Sequence, residues 1–229
     1  MRRALAYDIF NINAIIKYFY WGNFYSIYGG NIQMIYFYSG TPGSGKSLHV
    51  AQDIYNKLFL KKQNVIANFD INRQIYNKKK KKGKFTYIPN NELTPQFFYD
   101  YAKENHVLGK ENQTLVVIDE CQILFNPRCW NDTYRIDWIN FFTQHRKWGY
   151  NFILISQFDR LVDRQIRSLF ETEYKHRKIN NFKIGQLLPV STFIAVEYWY
   201  GVKEKIGSSV FLYKKKYGKM YDTFKNFEE

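Results

Sequence analysis

Short unbroken apolar runs alternate along this chain with stretches whose apolar residues recur every three or four positions. The runs are Met34-Ile35-Tyr36-Phe37-Tyr38, Asn64-Val65-Ile66-Ala67-Asn68-Phe69, Thr114-Leu115-Val116-Val117-Ile118 and Phe152-Ile153-Leu154-Ile155. Each is too short for a helix, and the central residues do not alternate with polar ones, which predicts strands buried on both faces of a parallel sheet. Residues 48–59 instead place Val50, Ala51, Ile54, Tyr55, Leu58 and Phe59 on one helical face. Residues 94–102 predict a second helix, with Thr94 as N-cap and Pro95 in the first helical position. A third spans residues 135–148, with Ile136, Ile139, Phe141 and Phe142 on its apolar face, and a short fourth spans 161–170. Phe85-Thr86-Tyr87-Ile88, stopped by Pro89, predicts a short edge strand. Residues 192–213, around Gly201 and Gly207-Ser208-Ser209, predict an antiparallel hairpin. Strands alternating with helices predict an α/β fold, a mainly parallel sheet flanked by helices, with a C-terminal β-hairpin. Residues 34–229 then form one domain and residues 1–33 an N-terminal aromatic extension.

A chain of 229 residues holds one such domain with a small appendage. Its net charge of +14 favours polyanionic partners, nucleic acid or an anionic membrane surface. The abundance of Lys, Asn, Tyr, Phe and Ile also fits an AT-rich genome, so charge alone does not choose between a specific partner and codon drift. Residues 78–84, six lysines and one glycine, are excluded from any core. A solvated loop and a loop that contacts DNA phosphates both stay open for them. Cys121 and Cys129 have no histidine at metal-ligand spacing, which argues against zinc and a disulfide framework and for free thiols. No uninterrupted apolar run reaches about 18 residues, so no transmembrane helix is predicted. The aromatic stretch 9–28 is broken by Asn11, Asn13, Lys17, Gly22, Asn23 and Ser26. It reads either as a membrane-interface segment or as a peripheral extension.

Candidate chemistry sits in the joints of this pattern. Gly40-Thr41-Pro42-Gly43-Ser44-Gly45-Lys46-Ser47 fits G-x-x-x-x-G-K-[ST] and lies between the first predicted strand and the first predicted helix, which Leu48 continues. Glycines let the backbone approach a phosphate closely, and the helix N-terminus adds partial positive charge. Residues 40–48 are therefore predicted to bind ATP, with Lys46 on the β- and γ-phosphates and the Ser47 hydroxyl on Mg²⁺. Asp119 and Glu120 end the third buried strand, where open α/β sheets place their ligands. Asp119 is the expected metal-side acid and Glu120 the expected base for an attacking water, which favours RecA-like ATP hydrolases over small-molecule kinases. Gln157 ends the next strand, where it can contact the γ-phosphate or the lytic water. Charge on the transferring phosphoryl group asks for an arginine, and Arg146, Arg160, Arg164 and Arg167 are near in sequence. Arg146, then Arg167, is expected to act across a subunit boundary of a homo-oligomer.

These residues resemble a known family. The first strand running into the Gly-rich loop, then Leu115-Val116-Val117-Ile118-Asp119-Glu120, is similar to the zonular-occludens-toxin-like (Zot) domain, the ATPase of filamentous-phage gene I assembly proteins. Three further stretches match: residues 144–157 from Gln144-His145-Arg146 to Ser156-Gln157, Val162-Asp163-Arg164-Gln165-Ile166-Arg167, and Met220-Tyr221-Asp222-Thr223. The resemblance covers residues 34–225 and is also similar, in its His-Arg-x-x-Gly run, to FtsK/HerA-type translocases. It implies an oligomeric ATPase that extrudes single-stranded phage DNA. Its partners would be phage coat and assembly proteins, at the cytoplasmic face of the host membrane. A double-stranded DNA translocase and a nucleotide-binding membrane module with little turnover are the alternatives. The family commonly begins near Met34 and continues into a transmembrane helix. Membrane anchoring would here fall to residues 1–33 or to a partner.

Overall fold

A strand that is apolar on both sides must be paired along both edges and covered on both faces. The computed structural model satisfies this with one eight-stranded sheet, described over residues 34–128, 132–181 and 190–221. The expected extension 1–33 and Cys129 lie outside the described residues. The strands are β1 (Ile35–Ser39), β2 (Asn64–Ala67), β3 (Phe85–Tyr87), β4 (Thr114–Ile118), β5 (Tyr150–Ile155), β6 (Thr172–Lys178), β7 (Thr192–Trp199) and β8 (Lys205–Leu212). Their order is β3-β2-β4-β5-β1-β6-β7-β8. The first six run parallel, and β7 and β8 add the expected antiparallel hairpin at one edge. Every residue of β4 and β5 is buried.

Among the described residues, six α-helices complete the layers: α1 (Lys46–Tyr55), which continues into a π-helical turn (Asn56–Leu60), α2 (Arg73–Asn77), α3 (Pro95–Asn105), α4 (Asp132–Gln144), α5 (Arg164–Arg167) and α6 (Lys215–Gly218). On one face, Phe98 and Tyr101 of α3, Trp138, Phe141 and Phe142 of α4, and Ile166 of α5 pack against Phe37, Val116, Ile118 and Phe152. On the other, Val50, Ile54 and Leu58 cover Val65, Val117 and Ile153, as their spacing requires. Thr94 caps α3 as expected, its hydroxyl accepting from Phe97 N at 3.2 Å.

The structure departs from the sequence pattern at five places, the first being α4, which ends at Gln144 rather than 148 because residues 145–149 turn back into β5. Ile136 is 53% exposed, because it lies about 200° around α4 from the fully buried Trp138. The expected helix 161–170 is a 3₁₀ turn (Asp159–Leu161) followed by the single turn α5, which Asp163 caps through Gln165 N and Ile166 N. Gly207-Ser208-Ser209 lies inside β8 rather than in a turn. Strand β6 was not anticipated. Its sequence alternates, with Thr172 and His176 buried on one face and Glu173, Lys175 and Arg177 on the other, but the inward face is polar and aromatic rather than aliphatic. Residues 78–81 are exposed, and Lys84 N donates to Asn64 Oδ1 at the start of β2. The lysine block thus occupies the sheet edge opposite the C-terminal ends of the strands.

Phe98 is fully buried and its ring meets those of Trp138, Phe141, Tyr150 and Phe152. Phe98→Ala is expected to cost about 3–5 kcal/mol, seen as a lower urea midpoint with unchanged slope.

Candidate active site

Because β1, β4 and β5 run parallel, their C-terminal ends bring three loops to one edge of the sheet. The loop after β1 carries Gly40 to Ser47. Gly45 has φ 98°, and a Cβ there would come within 2.5 Å of the Phe193 ring. At Gly40, φ 143°, a Cβ would come within 2.7 Å of the His176 carbonyl. The hairpin and β6 therefore press against the loop from outside, and only glycine fits at these two positions. The Lys46 ammonium donates to the carbonyls of Gly40 at 2.6 Å and Thr41 at 3.3 Å, folded over the loop it would share with a phosphate. Burial lowers its pKa, with Asp119 and Glu120 opposing that shift. Ser44 Oγ is buried without a hydrogen-bond partner among the described residues. Ser47 lies in the first turn of α1, and Leu48 packs on Phe193 and Phe211.

The loop after β4 holds the acids. Asn68, at the end of β2, clamps the Asp119 main chain on both sides: its Oδ1 accepts from Asp119 N at 2.7 Å and its Nδ2 donates to Asp119 O at 2.8 Å. Asp119 Oδ1 accepts from Glu120 N at 2.9 Å, and Oδ2 accepts from the Tyr221 hydroxyl. Burial raises the Asp119 pKa, and the Tyr221 donor works against that rise. Glu120 sits in the left-handed region at φ 47°, strained for a non-glycine residue, and its Oε2 accepts from Gln122 Nε2 at 2.5 Å. After β5, which lies between β1 and β4, the Gln157 carbonyl accepts from Gly40 N at 3.4 Å. Beside Gly40 and Gln157 a groove of about 750 Å³ opens toward Glu173 and Arg177. An inward-curling loop with its glycines, a lysine, a hydroxyl and a carboxylate form a hard-oxygen and cationic set that fits a Mg²⁺–nucleotide complex.

A family model described as zonular occludens toxin (Zot) matches residues 34–225. The chain belongs to the Zot family. The gene 1 protein of Enterobacteria phage fd is 30% identical over 139 residues, 58% of this chain and 39% of that protein. The gene 1 protein of Enterobacteria phage I2-2 is 39% identical over 80 residues, 33% of this chain and 22% of that one. The chain thus spans 39% or less of the length of these curated relatives. The N-terminal domain of zonular occludens toxin from Neisseria meningitidis superposes with a TM-score of 0.54 at 19% identity, over 83% of this chain and 100% of that one. The ATPase domain of G40P also reaches 0.54, at 10% identity, over 83% and 84% of the two chains. This Zot domain is a P-loop NTPase.

Within the Zot domain the structure assembles the Gly40–Ser47 loop, Asp119, Glu120 and Gln157 at one edge and leaves Arg146 at the other. Arg146 precedes β5, and its guanidinium meets Glu171 at 2.6 Å, beside the first residue of β1. Six residues of strand, roughly 20 Å, separate it from the cradle of its own chain. Any contact of Arg146 with a nucleotide therefore needs a second copy. Arg167 pairs with Asp159 at 3.7 Å and Arg160 lies over the Phe158 ring, so each meets a residue that closely follows Gln157 in the chain. The distinctive His-Arg-x-x-Gly run is a turn: His145 O accepts from Tyr150 N, and Gly149, φ 81°, has no room for a side chain beside Gln113 and Lys110.

Sequence reasoning missed Asn68, Tyr221 and a buried pair behind the loop. His49 Nδ1 and His176 Nε2 share one hydrogen bond at 2.8 Å, and His176 Nδ1 lies 3.1 Å from Ser39 O. The Tyr38 hydroxyl donates to Asp53 Oδ2 at 2.8 Å. Burial pushes His49 down to about 4 and Asp53 up to about 7. His49 and Asp53, 3.9 Å apart, are then both neutral between those values and form no ion pair there. The two shifts act oppositely on stability. Folding adds a proton to Asp53 between pH 3.8 and about 7 and so weakens as pH rises through that window. Folding removes one from His49 between about 4 and 6.5 and so strengthens as pH rises. Asp53→Asn deletes the first effect only. Its melting temperature is expected to climb more steeply than wild type from pH about 4.5 to 6.5, as read by thermal scans across that range.

Proposed function

We propose that the chain is an ATP-hydrolysing motor that works as an oligomer in phage assembly and drives extrusion of single-stranded DNA at the cytoplasmic face of the host membrane. The observation that carries the hydrolytic reading is the convergence of Lys46, Asp119, Glu120 and Gln157 on one sheet edge, with β5 between the two motif strands. Ser47 and Asp119 would hold Mg²⁺, which when bound supplies charge neutralisation at the β- and γ-phosphates. Lys46 would exchange its two loop carbonyls for phosphate oxygens. Glu120, released from Gln122, would take the proton of the water that attacks the γ-phosphoryl group, and Gln157 would orient that water. The phage role is supported by the curated relatives, gene 1 proteins of phages. The nucleic-acid part is supported by the net charge of +14 and the exposed lysine block.

Lys46→Ala is expected to abolish nucleotide binding and turnover together, whereas Glu120→Gln should retain ATP binding and lose about 10²–10⁴-fold in turnover. Steady-state hydrolysis with a parallel fluorescent-nucleotide titration checks both, and wild-type turnover in the two variants overturns the motor. For nucleic acid, replacing lysines 78–82 with glutamine should flatten the slope of log affinity against log salt by roughly 3–4 units on single strands. An unchanged slope returns the block to an ordinary solvated loop, and stronger stimulation of turnover by duplex than by single strands contradicts the single-stranded cargo.

A further inference from the structure

Both carboxylate oxygens of Asp119 are engaged, and the donor to Oδ2 comes from a residue 102 positions later. The segment that delivers it leaves β8 and crosses the face covered by α1. Tyr213 N donates to Ser191 O at the root of the hairpin. Tyr217 is buried and packs edge-on against Tyr55 of α1, ring centroids 5.4 Å apart. Met220 is fully buried among Val50, Ile54, Val65 and Val117, and its carbonyl accepts from Asn72 N at 2.9 Å. The Tyr221 ring then lies on Phe69 at 4.2 Å, just beyond β2, with its hydroxyl on Asp119. Residues 213–221 form a strap that touches the hairpin, the P-loop helix and the end of β2 before it reaches the acid. Packing on Phe69 needs only a ring, whereas the hydroxyl meets one specific carboxylate oxygen. A donor of this kind fixes a metal-binding carboxylate's rotamer and leaves the remaining lone pair for the cation.

We propose that Tyr221 is a positioning residue that holds Asp119 in the orientation required by the divalent cation of the nucleotide complex, so that the strap 213–221 ties the metal side of the site to the P-loop helix. The proposal rests on the reading of Asp119 as the metal-side acid. It predicts that the effect of loosening the strap passes through the Tyr221 hydroxyl.

The test is Mn²⁺ binding to the full chain saturated with ADP, read by electron paramagnetic resonance, which needs no turnover. Tyr221→Phe keeps the ring and should weaken Mn²⁺ binding about 10-fold, while metal-free ADP affinity and melting temperature stay near wild type. Met220→Ala should weaken Mn²⁺ in the same direction, and the double variant should be no weaker than Tyr221→Phe alone. Where Met220→Ala does not fold, Tyr217→Leu replaces it at the other anchor. Unchanged or tighter Mn²⁺ binding in Tyr221→Phe overturns the proposal, and independent, multiplying losses in the double variant overturn the role of the strap. Wild type that binds no Mn²⁺, or binds it as well after Asp119→Asn, removes the underlying reading of Asp119 and the proposal with it. Wild type that binds Mn²⁺ through Asp119 but is matched by Tyr221→Phe removes the proposal alone.

Discussion

Strands buried on both faces can satisfy their backbone only inside a sheet and their side chains only between two helical layers. That constraint on β1, β4 and β5 governs the rest of the molecule. Once the three pair in parallel, their C-terminal ends share an edge, and the glycine loop, the Asp119-Glu120 pair and Gln157 must meet there. The crossovers between parallel strands then place α1 on one face and α3 to α5 on the other, which closes two cores around the same strands. Catalytic potential at this edge is thus a consequence of strand burial.

Around that edge the structure adds polar contacts that span long sequence separations. Asn68 fixes the main chain of Asp119, Tyr221 fixes its carboxylate, and the His49–His176 pair joins the P-loop helix to β6. Burial makes the His49–His176 bond costly if broken, because a desolvated donor or acceptor then has no water to replace its partner. Between pH about 4 and about 7 the same burial keeps His49 and Asp53 neutral, so in that range the layer behind the phosphate cradle is held by neutral hydrogen bonds. Strand β6 and the hairpin matter here beyond extending the sheet. His176 and Phe193 press on Gly40 and Gly45 and shape the loop from outside.

The stretches that resemble the family fall at two ends of the sheet. Gly40 to Ser47, Asp119, Glu120 and Gln157 stand at the candidate site. His145 to Gly149 form the tight turn that feeds α4 into β5, and Arg146 pairs with Glu171 at the far edge.

Much of the fold was legible because its signals are local. Aliphatic runs mark buried parallel strands, three-to-four spacing marks α1 and α3, Thr94-Pro95 marks a helix start, and the glycine loop with a following lysine marks a phosphate cradle. Strand β6 escaped because its inward face is Thr172, Tyr174 and His176, whose burial comes from neighbouring aromatics rather than from their own hydropathy. Ile136 was misplaced because periodicity does not say which part of a helix meets the sheet. The chain's own sequence determined the strand–loop–helix units and the chemistry in each loop, since these depend on backbone preference and side-chain spacing over a few residues. Only the tertiary structure decided that Asn68, Tyr221 and His176 attend the site and that Arg146 stands at the opposite end of its own chain's sheet. Those facts depend on strand order and on the path of the strap, and both come from packing between residues remote in sequence.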